Sequence, residues 1–163
     1  MGDLISNTVG TVIGGLILTL IIFLLDEIVF SKKNLTGEWK TKMKILKTPH
    51  KDYKDTVIEY KIHLIQKGYN ISGSGERIKD VQPGGKENVL EPANRLALDV
   101  DGYYERGYLR KSFINLNIEE ENKRRDTRST FRLTLIHKKK LKGTFISTAG
   151  DSVGTVEMTK NGS

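Results

Sequence analysis

The sequence predicts an all-β fold, about eight strands closed into an up-and-down barrel, preceded by one N-terminal transmembrane α-helix. Three observations lead there. The uncharged run "LISNTVGTVIGGLILTLIIFLL" fills residues 4–25; apolar side chains alternate strictly with polar ones after Asn34; and no helical period recurs beyond that point.

The helix comes first. A helix over residues 4–25 covers roughly 33 Å, enough for a hydrocarbon core of about 30 Å. A secretory signal peptide would carry a basic start, a shorter apolar core and a small-residue cleavage site. Here Asp3 precedes the run, nothing basic does, and no AxA site follows. The segment reads as a retained single-pass anchor. Lys32 and Lys33 lie just after it, and the positive-inside tendency then sets the C-terminal part in the cytoplasm. Ser6, Gly10 and Gly14 recur every fourth residue, a small-residue stripe of the kind on which membrane helices associate. The expected organisation is an anchor at 1–30, a linker at 31–36 and a cytoplasmic barrel domain at 37–163.

Charge divides the same way. Residues 1–30 hold Asp3, Asp26 and Glu27 and no Lys or Arg, whereas the whole chain carries a formal charge of +7. A basic module on an acidic, apolar stem points to an anionic partner. The absence of cysteine removes disulfides, thiolate metal sites and cysteine nucleophiles. His50, His63 and His137 stand far apart without metal-ligand spacing, and no GxSxG motif is present. The reading is therefore a non-enzyme, with no cofactor and no metal.

The strands follow in order. "EWKTKMKIL" turns Trp39, Thr41, Met43 and Ile45 to one face and its lysines to the other, and "TVIEYKIHLIQ" does the same with Ile58, Tyr60, Ile62 and Leu64. Tyr69–Arg77, Arg95–Tyr104, Gly107–Ile118, Thr127–His137, Leu141–Thr148 and Val153–Lys160 complete eight. Closing them removes two open edges and covers the apolar face. In "QKGYNISGSGER", residues 66–77, the glycines mimic a phosphate loop, but no helix follows. Gly73 and Gly75 instead share a face with Ile71 and allow a barrel strand to bend. Residues 78–93 form the longest insertion, a candidate lid. Glu119-Glu120-Glu121 reads as a solvated run, and Asp99 and Asp101 as outward-facing.

"GEW", "LIQKGYNISGSG", "LKGTF" and "GDSVGTVEMTK" together resemble short lipocalin-like, or calycin-type, bacterial barrels. With a membrane anchor in front, the chain resembles the transmembrane β-barrel effectors of anti-phage cyclic-oligonucleotide signalling, CBASS and related systems. Those effectors carry two membrane spans, and this chain has room for one. The resemblance implies a protein of the bacterial inner membrane that binds a cyclic di- or trinucleotide and associates with itself through its helix. It would then disrupt the membrane in abortive infection, in functional partnership with a nucleotidyltransferase that makes the messenger. Duplex nucleic acid is not an expected partner.

Parity along the strands supplies the expected ligand set: Trp39, Thr41, Tyr60, Tyr69, Arg77, Tyr104, Tyr108, Arg110 and Ser112, with Ser147 at the interior or its rim. Aromatic rings stack bases, and arginine pairs with phosphate oxygens. The alternative is a membrane-tethered lipocalin-like carrier or scaffold for a lipid, another small molecule or a protein.

Overall fold

A computed structural model describes residues 2–28, 34–107, 111–121 and 126–161. The chain divides into two units, Met1–Lys33 and Asn34–Ser163.

The first unit contains one helix, α1, Gly2–Ile28. Its side chains are described from Gly10 to Leu24, and all of them are exposed. Its 27 residues extend about 40 Å. Among the described residues, no helix is long and apolar enough to cross a membrane. The Thr19 hydroxyl donates to the Gly15 carbonyl at 2.8 Å, which satisfies it within the helix. A Cβ built at Gly10 or Gly14 would meet nothing within 4 Å, so that side of the helix has open space beside its backbone. The side chain of Ser6 lies outside the described residues.

The second unit is built from strands β1 (Gly37–Lys47), β2 (Val57–Lys67), β3 (Asn70–Val81), β4 (Glu87–Val89), β5 (Ala97–Glu105), β6 (Phe113–Glu120), β7 (Thr127–His137), β8 (Lys140–Ser147) and β9 (Ser152–Lys160). The sheet runs β2-β1-β9-β8-β7-β6-β5-β3, and β2 pairs back onto β3. Every pairing is antiparallel. Eight strands thus form a closed up-and-down barrel, as the alternating pattern predicts. The small ninth strand, β4, adds to the end of β3 alone.

The insertion at 78–93, the candidate lid, is ordered largely as a hairpin. β3 continues to Val81, turns through Gly84 and Gly85 at positive φ, and returns as β4. Most of it is therefore hairpin, with its backbone hydrogen bonds made internally. The strand expected from Gly107 starts at Phe113 instead, which leaves Ser112 in the preceding loop.

The core lies inside the barrel. Along β1 the even spacing buries Trp39, Thr41, Met43 and Ile45, while Lys40, Lys42 and Lys44 face out. Phe131 and Phe145 tilt against each other across β7 and β8, with ring centroids 6.1 Å apart. All buried hydrophobic residues described fall between Leu35 and Met158, so the barrel completes its core without α1. Gly73 and Gly75 explain their own motif. A Cβ at either would sit 2.3 or 2.4 Å from a β2 carbonyl oxygen, because β2 and β3 approach closely where the sheet coils shut.

The barrel has two ends. The proximal end receives the chain at Asn34 and carries the β2–β3 turn, the β5–β6 loop, the β7–β8 turn and the end of β9. The distal end carries the β1–β2 connection, the β3–β4 hairpin, the β6–β7 loop and the β8–β9 turn.

Candidate functional site

The expected ligand set falls at both ends. Trp39, Tyr69, Tyr104 and Ser112 lie toward the proximal end; Tyr60 and Arg77 lie toward the distal one; Thr41 sits between. Tyr108 and Arg110 lie outside the described residues.

At the proximal end Trp39 is fully buried and works as a plug. Its indole N–H donates to the Leu35 carbonyl at 2.8 Å, and the Lys160 ammonium stands 5.8 Å from the ring centroid. Leu35, also buried, closes the same end, held by its own N–H donating to Gln66 Oε1 at 2.9 Å. Tyr69 and Tyr104 stack with centroids 6.4 Å apart and planes at 16°. Tyr69 is 40% exposed and belongs to the rim rather than the lumen. Ser112 Oγ accepts the Gly107 N–H at 3.2 Å and shapes its own loop.

At the distal end the chain assembles a buried polar cluster. Tyr60 and Arg77 are register partners across β2 and β3. A bulge follows at once, because Glu59 pairs with Lys79 and Ile78 is left over. Residues three apart on a regular strand point to opposite faces. The extra residue reverses that, and Asp80 comes round to Arg77. Both arms of a fork result: Nε donates to Asp80 Oδ1 and Nη2 to Oδ2, each at 2.8 Å. Nη1 donates to Glu120 Oε1 at 3.2 Å.

Glu120 corrects the sequence reading. The acidic run was expected in solvent, yet Glu120 is 5% exposed and continues the inward series Ile114, Leu116, Ile118. Glu119 and Glu121 do face out. A carboxylate this deep is tolerated because a guanidinium meets it. Burial alone would pull the Arg77 guanidinium down, but the Asp80 hydrogen bond and the surrounding negative charge outweigh it and hold the group above its ordinary range.

Tyr60 shares this environment. Burial, then the negative charge of Glu120, push its phenol well above the usual tyrosine range, with Arg77 opposing. The sign of the consequence follows. In the unfolded chain the phenol ionises near about pH 10. The folded state keeps that proton, so the contribution is intact below about pH 10 and is lost as pH rises further, by up to about 1.4 kcal/mol per pH unit. Tyr60→Phe should remove this slope. Urea unfolding at a series of alkaline pH values should show the variant and the parent converging; parallel curves would contradict the assignment.

Between these groups is a cavity of about 20 Å³, lined by Tyr60, Arg77, Glu120, Ser129 and Ser147 together with apolar neighbours. That is room for one water. Ser129 Oγ donates to Ser147 Oγ at 2.8 Å on its wall, and Ser147 is buried as parity predicts. Thr41 pairs in register with Tyr60. Its buried hydroxyl has no hydrogen-bond partner among the described residues. An orphaned buried hydroxyl costs about 1–3 kcal/mol, so its presence in a packed lumen asks for a reason beyond stability.

Outside the lumen, Asp99 and Asp101 face solvent as expected. The three histidines are exposed. Among the described residues, no group of three or more potential ligands could hold a metal ion.

The barrel fold has known structural counterparts. A redesigned β-barrel, b11L5F_LGL, matches with a TM-score of 0.53 at 12% identity, over 78% of this chain and 92% of that one. The fold is that of a lipocalin-like barrel. A second redesigned barrel of this fold, mFAP0 bound to DFHBI, matches with a TM-score of 0.52 at 9% identity, over 77% of this chain and 98% of that one. No protein-family model matches the sequence, and no curated protein does.

Of the cluster, Asp80, Glu120 and Ser129 were missed from sequence. Glu120 was readable by carrying the β6 parity two residues further. Asp80 was not, because no residue type announces a bulge.

Proposed function

We propose that this protein is a membrane-tethered β-barrel sensor and effector that takes a cyclic di- or trinucleotide at the distal end of its barrel. The observation that carries the reading is the meeting of Tyr60 and Arg77 at a buried polar cavity, with Thr41 the register partner of Tyr60. The groups divide the work of recognition. Glu120 accepts from an exocyclic amine or ring N–H of a base, Tyr60 offers a ring, and Arg77 donates to phosphate.

Size imposes a condition. A cavity of about 20 Å³ holds no nucleotide, since ligand pockets run from about 300 Å³ upward. The messenger therefore binds a state in which Arg77 has parted from Asp80 and Glu120. It acts by favouring that open state over the closed one. The sequence of residues 4–25 supports tethering, and the Ser6, Gly10, Gly14 stripe supports an output through helix association and membrane disruption in anti-phage defence.

The second reading is a tethered small-molecule carrier, favoured by the designed barrel of this fold that holds DFHBI. Calorimetry of the barrel Asn34–Ser163 separates the two, with cyclic di-AMP, cyclic di-GMP, cyclic tri-AMP and a fatty acid as titrants. The sensor reading expects heat with at least one cyclic nucleotide. It also expects Thr41→Val to stabilise the empty barrel by about 1 kcal/mol while weakening that ligand. Fatty-acid uptake with no nucleotide heat assigns the protein to the carriers.

A further inference from the structure

The proximal end carries a surface that the ligand site does not use. Ile65, Tyr69, Tyr103 and Ile136 are 43%, 40%, 52% and 56% exposed. Each lies in or beside a strand terminus at this end: Ile65 near the end of β2, Tyr69 in the next turn, Tyr103 near the end of β5 and Ile136 near the end of β7. Lysines are set among them. Lys67, Lys111, Lys138 and Lys139 are exposed and enter no ion pair among the described residues. Of the acidic groups nearby, Glu38 and Glu157 are already paired with lysines. Glu38 takes Lys61 at 2.9 Å, Glu157 takes Lys140 at 2.6 Å and Lys142 at 3.0 Å, and Glu105 accepts from Asn115 at 3.2 Å. The distal loops, by contrast, mix Asp52, Asp55, Glu91, Glu121 and Asp151 with their lysines. The proximal end therefore carries exposed lysines in excess of its acidic groups, whereas the distal end, which also exposes Tyr53, Val89 and Ile146, balances its lysines with carboxylates.

We infer that the proximal end of the barrel is a docking surface for an anionic lipid bilayer. Tyrosine and isoleucine suit the interfacial layer, where one side of a ring meets acyl chain and the hydroxyl meets headgroup, and lysines add attraction to negative lipid. The inference extends the tethered reading proposed above. Docking this end leaves the distal cavity turned toward the aqueous phase, from which a soluble ligand arrives.

The test needs neither α1 nor nucleotide, so it stands apart from messenger binding. The barrel Asn34–Ser163, whose core is complete without α1, is sedimented with vesicles of phosphatidylcholine alone or mixed with phosphatidylserine. Binding to the mixed vesicles only, lost at high salt, is expected. Lys67→Glu, Lys138→Glu and Lys139→Glu together should lower partitioning by about 100-fold, since each surface lysine contributes to headgroup attraction. A distal triple variant with the same charge change, Lys51→Glu, Lys54→Glu and Lys86→Glu, should stay within about threefold of the parent. Equal losses from both triples would make the attraction one of net charge and overturn the assigned surface. Binding indifferent to phosphatidylserine would overturn it too. So would release from the vesicles by cyclic di-AMP, cyclic di-GMP or cyclic tri-AMP, which would make this end a nucleotide site.

Discussion

Arg77→Ala is expected to destabilise the barrel by about 3 kcal/mol or more. Removing the guanidinium leaves the Glu120 carboxylate, whose side chain is 6% exposed, without a counterion, and breaking a buried pair from one side costs about 3–5 kcal/mol. Asp80, paired with Arg77 at 2.8 Å and 19% exposed, loses its partner as well. Urea unfolding measures the change. The cause is separable from lost packing. Arg77→Met should suffer similarly, but Glu120→Leu in that background should recover much of the loss, because it removes the more deeply buried of the two stranded carboxylates. If Arg77→Ala unfolds like the parent, the ion pairs are solvent-relaxed and the distal end is not a closed latch.

Trp39→Ala should cost about 4 kcal/mol, the scale for deleting a fully buried large aromatic side chain. The indole is completely inaccessible, and its loss also strips the Leu35 carbonyl of its buried donor. A fall in Tm of more than about 10 °C is expected by calorimetry. Trp39, expected in the ligand set, is fully buried at the proximal end, away from Tyr60 and Arg77. The variant should therefore lose stability without a selective loss of ligand affinity once its reduced folded fraction is allowed for. A stable Trp39→Ala that no longer binds would restore the original role.

How far the sequence could be read depended on which physics was local. Alternation is local, and it placed Trp39, Thr41, Met43, Ile45, Ile58, Tyr60, Ile62 and Leu64 on the inner face, where they are. Closure of eight amphipathic strands follows from burying one face and pairing every edge, and it needs no long-range information. The ligand set asked for more. Inward parity says that a side chain enters the lumen but not at which height, and strand direction reverses at every turn. Trp39 and Tyr60 therefore share a face yet serve opposite ends. The bulge at Ile78 lies beyond parity altogether, and it is what joins Asp80 to Arg77. Glu120 failed for a different reason. Its two acidic neighbours are exposed, and composition outvoted position.

Ligand is expected to enter by parting the Arg77 latch at the distal end. Amide and arginine side-chain NMR of the barrel, titrated in turn with cyclic di-AMP, cyclic di-GMP and cyclic tri-AMP, tests it most directly. With at least one of them, the largest shifts should fall on Tyr60, Arg77, Asp80, Glu120, Ser129 and Ser147, and the Arg77 Nε–H should lose the signature of its Asp80 hydrogen bond. Shifts centred on Tyr69 and Tyr104, or an unchanged spectrum with all three, would contradict the account.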